Sequence, residues 1–177
     1  MKLGYKLLVG VLVLFTSLNF FLKERVVVNR SIEIKRPINN VFMNVANVKD
    51  WANWDPWCTT DSTIVNTYPA NTFGLNAQRN WISNESGSGS MVVKSIALNE
   101  QIDFDLKFYE PFESLAHISF IFKQIKGKTH VTWAMQQDYP FFFRVFGLFA
   151  DAIIGPDFDL GLKNLKLLSE TTYDPYN

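Results

Sequence analysis

Histidine and cysteine are the side chains most suited to bind metals or to act as nucleophiles, and this chain of 177 residues has two His and one Cys. His117 and His130 lie in different predicted strands, and no His or Cys lies three or four residues from another. Structural zinc sites usually bring their ligands together through such short spacings. The sequence therefore predicts neither a metal site nor a cofactor.

Other residues with chemical potential give equally weak signals. Cys58 would be a nucleophile only if a His approached it, and a lone Cys more often packs as a small apolar residue. Gly87-Ser88-Gly89 is followed by no Lys-Ser or Lys-Thr and connects strands, so a turn is favoured over a phosphate loop. Asp138, Asp151 and Asp157 are candidates for an acid–base pair, but the sequence does not give their separations, and no catalytic residue is assigned.

Aromatic residues make up 15% of the chain and are the remaining candidates. Those that alternate toward one side of the predicted strands, with apolar residues of a predicted C-terminal helix, either fill the core or line a cavity for a hydrophobic small molecule or lipid. Both interpretations stay open. The predicted ligand-binding residues are Trp81, Phe104, Phe108, Phe120, Trp133, Met135, Phe158 and Leu162.

Alternating apolar and polar residues predict the strands that would hold these side chains. Residues 26–36 end in strict alternation, which is typical of a half-buried strand. Short alternating runs separated by turn residues then continue to about residue 139, and the clearest run covers residues 101–109. Consecutive short strands joined by tight turns predict an antiparallel meander.

Helical periodicity appears on both sides of the meander. After Pro37, apolar residues recur at helical spacing up to a cluster of Trp51, Trp54 and Trp57, which we expect to close one end of the sheet rather than to touch a ligand. A second helical region covers residues 141–170 and is predicted to break at Gly155-Pro156, with Asp157 and Asp159 in the first turn after the break. A sheet packed on one long helix would bury the apolar face of each.

The N-terminal region predicts a membrane anchor. Residues 7–22 contain no charge, and counted from residue 3 the helix would span about 30 Å, the thickness of a hydrocarbon core. The alternative is a cleaved signal peptide, which needs small residues three apart after the apolar run, and none fits well. Flanking basic residues favour a cytoplasmic N-terminus and an extracytoplasmic domain. We therefore expect a single-pass membrane protein with an anchor over residues 1–25, a domain over 26–172 and a tail over 173–177.

Charge and cysteine content narrow the functional class. The chain has 17 basic and 17 acidic side chains, and four of the basic ones lie in residues 1–25. The domain that follows is therefore mildly acidic, which argues against binding to nucleic acid. A single Cys also excludes an intramolecular disulfide.

Several segments resemble the helix-grip superfamily of START lipid-transfer domains, birch-pollen-allergen-like proteins and the polyketide cyclase/dehydrase group, often called SRPBCC proteins. The segment WANWDPW at residues 51–57 is similar to the group's W-x-x-W-[ST]-P-W, with Asp55 where Ser or Thr is common. Trp81 followed by GSGSM at residues 87–91 resembles its W and G-x-G-x-M turn, and GLKNLK at residues 161–166 resembles its C-terminal segment. The matches extend over nearly the whole chain after residue 26.

The resemblance implies an α+β fold, in which a curved antiparallel sheet wraps around a long C-terminal helix. Better-known relatives bind lipids, sterols or polyketides between sheet and helix, so the leading hypothesis is a membrane-tethered domain that binds a hydrophobic small molecule or lipid. The first alternative is a polyketide cyclase/dehydratase-like enzyme, which requires titratable groups on the cavity wall. The second is a non-catalytic interaction module at the membrane surface, which requires an exposed apolar patch outside the cavity, with residues 141–143 and Phe146 as candidates.

Overall fold

The computed structural model describes residues 2–69 and 71–171, so the predicted tail at 173–177 lies outside the described residues. The helices are α1 (Lys2–Phe21), α2 (Ile38–Ala46), α3 (Pro56–Thr60), α4 (Arg144–Gly147) and α5 (Ala150–Thr171), with short 3₁₀ helices at Asp50–Asn53 and Phe141–Phe143. The strands are β1 (Arg25–Ile34), β2 (Val65–Thr67), β3 (Gln78–Ile82), β4 (Ser88–Ala97), β5 (Gln101–Glu110), β6 (Ser114–Ile125) and β7 (Lys128–Asp138).

The strands form one antiparallel sheet in the order β1-β7-β6-β5-β4-β3-β2. Strands β2 to β7 are joined in sequence as a meander, and β1 adds to the free edge of β7. The sheet is curved and carries the long helix α5, which confirms the helix-grip α+β fold class.

The register of the strands shows which residues lie at each end of the sheet. One row of residues crosses six strands near the start of β1 and consists of Val26, Gln137, Ala116, Leu106, Met91 and Arg79. We call this end of the sheet the β1-start end. The row containing Ile102, Phe120 and Trp133 lies nearer the opposite end.

Helix α5 packs on β1 through charged as well as apolar contacts. Arg30 of β1 forms ion pairs with Asp151 at 2.7 Å and Asp159 at 3.2 Å. Farther along, Lys166 Nζ donates a hydrogen bond to the carbonyl oxygen of Glu33 at 2.7 Å. The helix is thereby held along the length of the edge strand.

The predicted break at Gly155-Pro156 is wrong, because α5 continues through both residues. Pro156 lies on the exposed side of the helix, so the carbonyl oxygen that its missing N–H would have paired can reach water. Gly155 faces the sheet, where a Cβ would overlap the Arg30 guanidinium. Asp157 and Asp159 consequently lie within the helix, and Asp151 is the acidic residue of its first turn.

Helix α1 projects from the domain with nearly all of its side chains exposed. Its segment Gly4–Phe21 is long and apolar enough to cross a membrane, a property that signal sequences share. The exception to its exposure is Asn19, which is fully buried and accepts a hydrogen bond from the Val145 N–H of α4 at 3.1 Å. Arg144 adds an ion pair with Glu24 at 2.8 Å. The last turn of α1 is therefore attached to α4.

Candidate ligand-binding cavity

A cavity of about 250 Å³ lies at the β1-start end of the sheet, between the sheet, the tryptophan segment and the beginning of α5. A cavity of about 150 Å³ accommodates benzene, so this one has room for roughly ten non-hydrogen atoms. Most of its wall is apolar. The lining residues are Trp51, Asp55, Trp57, Ile64, Arg79, Trp81, Ser86, Met91, Leu106, Phe108, Ile118, Trp133, Met135, Gln137 and Ile154.

The residues predicted to bind a ligand fall into two groups. The cavity wall includes Trp81, Phe108, Trp133 and Met135. The other four, which are Phe104, Phe120, Phe158 and Leu162, are fully buried and do not line the cavity. Whether these residues bind a ligand stays a prediction. The structure places the first four on the cavity wall and the other four in the buried core.

Trp133 belongs to the cavity wall and also packs against the buried core residues. Its ring stacks on Phe158 of α5 with centroids 4.1 Å apart and on Phe120 of β6 at 5.0 Å. Trp51 packs against Phe104 and Phe120 with centroids 5.3 and 5.5 Å away. Offset and edge-to-face contacts of this kind fill space efficiently, so the aromatic rings pack closely in this part of the core.

The tryptophan segment contributes to the wall, contrary to the expectation that it would only close one end of the sheet. Trp51 and Trp57 line the cavity, whereas Trp54 is fully buried behind them. The Trp51 indole donates a hydrogen bond to the Val45 carbonyl oxygen at 2.9 Å, and Trp54 donates to Asn44 at 3.1 Å. These bonds to α2 hold the indoles in place.

An ion pair inside the cavity wall was not found by sequence reasoning. Arg79 Nη1 lies 2.6 Å from Asp55 Oδ2, and the side chains are only 7% and 0% exposed. Asp55 also caps α3, because its Oδ1 accepts the Trp57 N–H at 3.2 Å. The Arg79 guanidinium lies 5.6 Å from the Trp51 ring centroid and 5.7 Å from that of Trp81, so two indoles flank it.

Two weak signals in the sequence pointed to this pair. Asp55 occupies a motif position where Ser or Thr is common, and Arg79 is two residues before Trp81, so it faces the same side of β3. Each residue alone resembles an ordinary surface charge. Only the fold brings these two residues into contact.

The pKa values of Arg79 and of the neighbouring Cys58 are both shifted. Burial by itself lowers the pKa of Arg79, but Asp55, with smaller contributions from Cys58 and Tyr68, more than offsets it and the pKa is raised, so the guanidinium stays charged. Cys58 Sγ lies 3.7 Å from Asp55 Oδ2, and burial followed by the charge of Asp55 raises the pKa of the thiol. A protonated thiol is a poor nucleophile, so this geometry does not activate Cys58.

A second polar cluster secures the loop beside the cavity. Asp61 accepts hydrogen bonds from the hydroxyl groups of Ser83 at 2.5 Å, Thr63 at 2.6 Å and Ser86 at 2.7 Å. These donors, led by Ser83, hold the pKa of the Asp61 carboxyl well below its usual range. Because Ser86 belongs to the wall, the cluster fixes one margin of the cavity.

Gly89 explains the glycine-rich segment after Trp81. The two residues are opposite each other in β3 and β4, and a Cβ on Gly89 would overlap the Trp81 ring and lie 2.5 Å from the Lys107 carbonyl oxygen. Glycine therefore lets the indole lie across β4 and form part of the wall. Gly87 ends the connection between β3 and β4, and Ser88 and Gly89 are the first residues of β4.

The remaining candidates for chemistry do not line the cavity, although Asp157 is close enough to interact with Trp57 and Asp55 of its wall. His117 and His130 point away from the core, and His117 Nδ1 contacts Asp105 at 2.8 Å. Asp138 pairs with Arg25 on the surface at 2.8 Å, and burial raises the pKa of Asp157. Within residues 2–69 and 71–171, no group of three or more His, Cys, Asp or Glu side chains is arranged to hold a metal ion.

Comparisons with known proteins define the class of fold. No family model matches the chain, and no curated protein matches it in sequence. A structural-genomics protein of Chromobacterium violaceum superimposes with a TM-score of 0.62 at 12% identity, covering 82% of this chain and 98% of its own. The Aha1 dimer of Colwellia psychrerythraea has a TM-score of 0.57 at 15% identity, with 82% and 97% covered.

A third similar structure is DynU16, a protein of the dynemicin biosynthetic locus, with a TM-score of 0.59 at 12% identity. The match covers 82% of this chain but 47% of DynU16, so this chain corresponds to about half of that protein. At these identities the similarity shows the fold alone. The chain is thus a helix-grip domain preceded by one apolar N-terminal helix.

Proposed function

We propose that the protein binds a hydrophobic small molecule or lipid in the cavity, and that α1 anchors it to a membrane. The observation that carries the proposal is a cavity of about 250 Å³ with a mostly apolar wall, beside a core of fully buried apolar side chains. Native interiors rarely contain voids larger than a water molecule. At about 24 cal/mol per Å³, leaving such a volume empty would cost about 6 kcal/mol, which is comparable with the whole stability of many domains.

Exposed phenylalanines support the membrane part of the proposal. Phe142, Phe143, Phe146 and Phe149, which we call the phenylalanine patch, are each more than half exposed. They lie beside the end of α1, where Phe20 and Phe21 are also exposed, and the bond between Asn19 and Val145 holds the two regions together. Neighbouring exposed apolar side chains of this kind mark contact sites for membranes or proteins. Because the patch continues the apolar surface of α1, we infer that the bilayer covers it.

This arrangement would also direct the cavity toward the membrane. Gln137 and Ile154 of the cavity wall lie at the β1-start end of the sheet and in the first turns of α5, close to where α1 joins the domain. An apolar ligand that partitions into lipid would then be near the cavity without crossing bulk water. A separate partner protein is not needed to explain the patch.

The test uses the full-length protein in lipid nanodiscs. We expect an apolar molecule to co-purify and to be identified by mass spectrometry after extraction, and we expect fluorescent fatty acids or isoprenoids to bind. Leu106→Trp would fill part of the cavity and abolish binding, whereas Leu98→Trp, at an exposed turn at the opposite end of the sheet, would leave it unchanged. If no apolar molecule co-purifies and none of the probes binds, the proposed function is wrong.

A cyclase- or dehydratase-type reaction is the second candidate, and the ionisable pair on the cavity wall is the observation in its favour. Incubation with a total lipid and metabolite extract distinguishes the two functions. A binding protein releases at most one equivalent of a molecule whose mass is unchanged. An enzyme forms product in excess of its own concentration, and Asp55→Asn/Arg79→Met, which removes both charges and leaves neither one unpaired, would stop that turnover.

A further inference from the structure

The cavity wall contains four polar side chains that are not aromatic, and Gln137 differs from the other three. Asp55 and Arg79 pair with each other at 2.6 Å, and Ser86 Oγ donates a hydrogen bond to Asp61 at 2.7 Å. The carboxamide of Gln137 has no hydrogen-bond partner among the residues that the structure describes, and both of its polar atoms remain accessible. It is therefore the polar group of the wall that is free to bind a ligand.

Gln137 lies at the mouth of the cavity. It follows Trp133 and Met135 at intervals of two along β7, so all three side chains point to the side of the sheet that carries the cavity. Its neighbours in the row across the sheet are apolar, with Ala116 beside it on β6 and the lining residue Leu106 on β5. Gln137 is half-buried whereas Met135 is buried, so the carboxamide lies between the apolar wall and the outside.

This mouth lies beside the junction between α1 and the domain. Two residues after Gln137, the N–H of Tyr139 donates a hydrogen bond to the Glu24 carbonyl oxygen at 2.8 Å. With α1 in a bilayer, the junction lies at the boundary between lipid and water, which favours molecules that have one apolar and one polar end. A molecule that enters from this boundary would place its apolar part against the wall and its polar end at Gln137.

The carboxamide determines which polar end fits. Its oxygen accepts hydrogen bonds and its NH₂ group donates them, so a hydroxyl or a primary amide, which also does both, is its complement. A carboxylate only accepts, and Arg79, the one cation among the lining residues, is already compensated by Asp55. A hydrocarbon would cover the carboxamide without pairing it, which is unfavourable.

Resting on the proposed function, we propose that the cavity prefers an uncharged amphiphile, an alcohol or a primary amide, whose polar end exchanges hydrogen bonds with the Gln137 carboxamide. Gln137 is then the specificity-determining residue, because ligand sites of this kind use a few polar groups to orient a molecule that the apolar wall holds. The preference concerns the polar end of the ligand and not its apolar chain.

Four probes with equal numbers of non-hydrogen atoms test the proposal: 1-nonanol, octanamide, octanoate and decane. Their Kd values are measured on the full chain in lipid nanodiscs with ¹³C-methyl methionine, because Met91 and Met135 line the cavity whereas Met43 does not. Gln137→Leu removes the carboxamide. Gln136→Leu is the matched control, because Gln136 is also half-buried but points to the opposite face of β7.

We expect Gln137→Leu to weaken the binding of 1-nonanol and octanamide about fivefold and to leave that of decane within about twofold. Gln136→Leu should change none of the four Kd values. Each probe enters the lipid equally with every variant, so the ratio of its Kd values is independent of that partitioning. In the wild type, 1-nonanol and not decane should shift the side-chain ¹H–¹⁵N resonances of Gln137, which tests the proposal even if the variant fails to fold.

The outcomes separate this inference from the proposed function. Equal changes for 1-nonanol and decane, with no selective shift of the Gln137 resonances, would overturn the inference and leave the proposed function intact. A preferential loss of octanoate would overturn the requirement for an uncharged polar end. If none of the four probes shifts the methyl signals of Met91 and Met135, both the inference and the proposed function are wrong.

Discussion

Removing the charge of Asp55 should destabilise the domain far more than removing a comparable surface charge. Asp55→Asn keeps the shape of the side chain and the oxygen that caps α3, so the main loss is the charge opposite Arg79. Arg79 cannot respond by losing its proton, because a guanidinium stays charged in proteins. Deleting one partner of a buried ion pair costs about 3–5 kcal/mol.

The matched control is Glu113→Gln. The Lys107–Glu113 pair has nearly the same separation, 2.7 Å, but its side chains are 40% and 70% exposed. Solvent screens such a pair, so its loss should cost less than about 1 kcal/mol. The two pairs therefore have nearly the same separation but differ greatly in burial.

Urea unfolding of the full chain in micelles, followed by tryptophan fluorescence, measures both variants. With a slope of about 2 kcal/mol per M, Asp55→Asn should lower the midpoint by roughly 1.5–2.5 M. Asp55→Asn/Arg79→Met should recover much of that loss, because uncharged replacement of a buried pair is often neutral. If Asp55→Asn costs no more than Glu113→Gln, the assignment of Arg79 as a buried charge that depends on Asp55 is refuted.

Three further predictions concern the cavity margin, acid stability and the membrane. Gly89→Ala should lower stability by about 1–3 kcal/mol by overpacking against the indole opposite it, as seen in urea unfolding; an unchanged midpoint would contradict the close approach. The pKa of Asp61 is lower in the folded protein than in the unfolded chain, where it is about 3.9. Ionised Asp61 therefore stabilises the fold above about pH 3.9, and this stabilisation is lost as the pH falls from there toward the folded pKa. The stability difference between wild type and Asp61→Asn should therefore be constant from pH 7 to about 5 and shrink toward pH 2, and a difference independent of pH would argue against the hydrogen-bond cluster. An environment-sensitive dye on Phe146→Cys, in a cysteine-free background in nanodiscs, should show blue-shifted emission relative to Leu98→Cys; equal emission at both positions would place the phenylalanine patch in water.

The alternation of apolar residues predicted the clearest strands, and the resemblance to the helix-grip superfamily implied the fold class. Residues 101–109 alternate without interruption, and the strand lies at Gln101–Glu110. Such patterns are local, because strand side chains point to opposite faces with a period of two. The helix through Gly155-Pro156 was missed since the rule that proline ends a helix is also local, and the position of Pro156 on the exposed side overrides it.

Sequence alone determined the apolar N-terminal segment, the regularly alternating strands and the inward side of those strands. It did not determine which inward residues pack together and which border a cavity. Phe108 and Phe120 alternate inward in the same way, but register places Phe108 opposite Gly89 beside the cavity and Phe120 opposite Trp133 in the solid core. The partnership of Asp55 and Arg79 likewise required the tertiary structure. The physical reason is that the face toward which a strand side chain points depends on the local sequence. The residues that lie opposite it in the sheet or across the core depend on how distant segments pair.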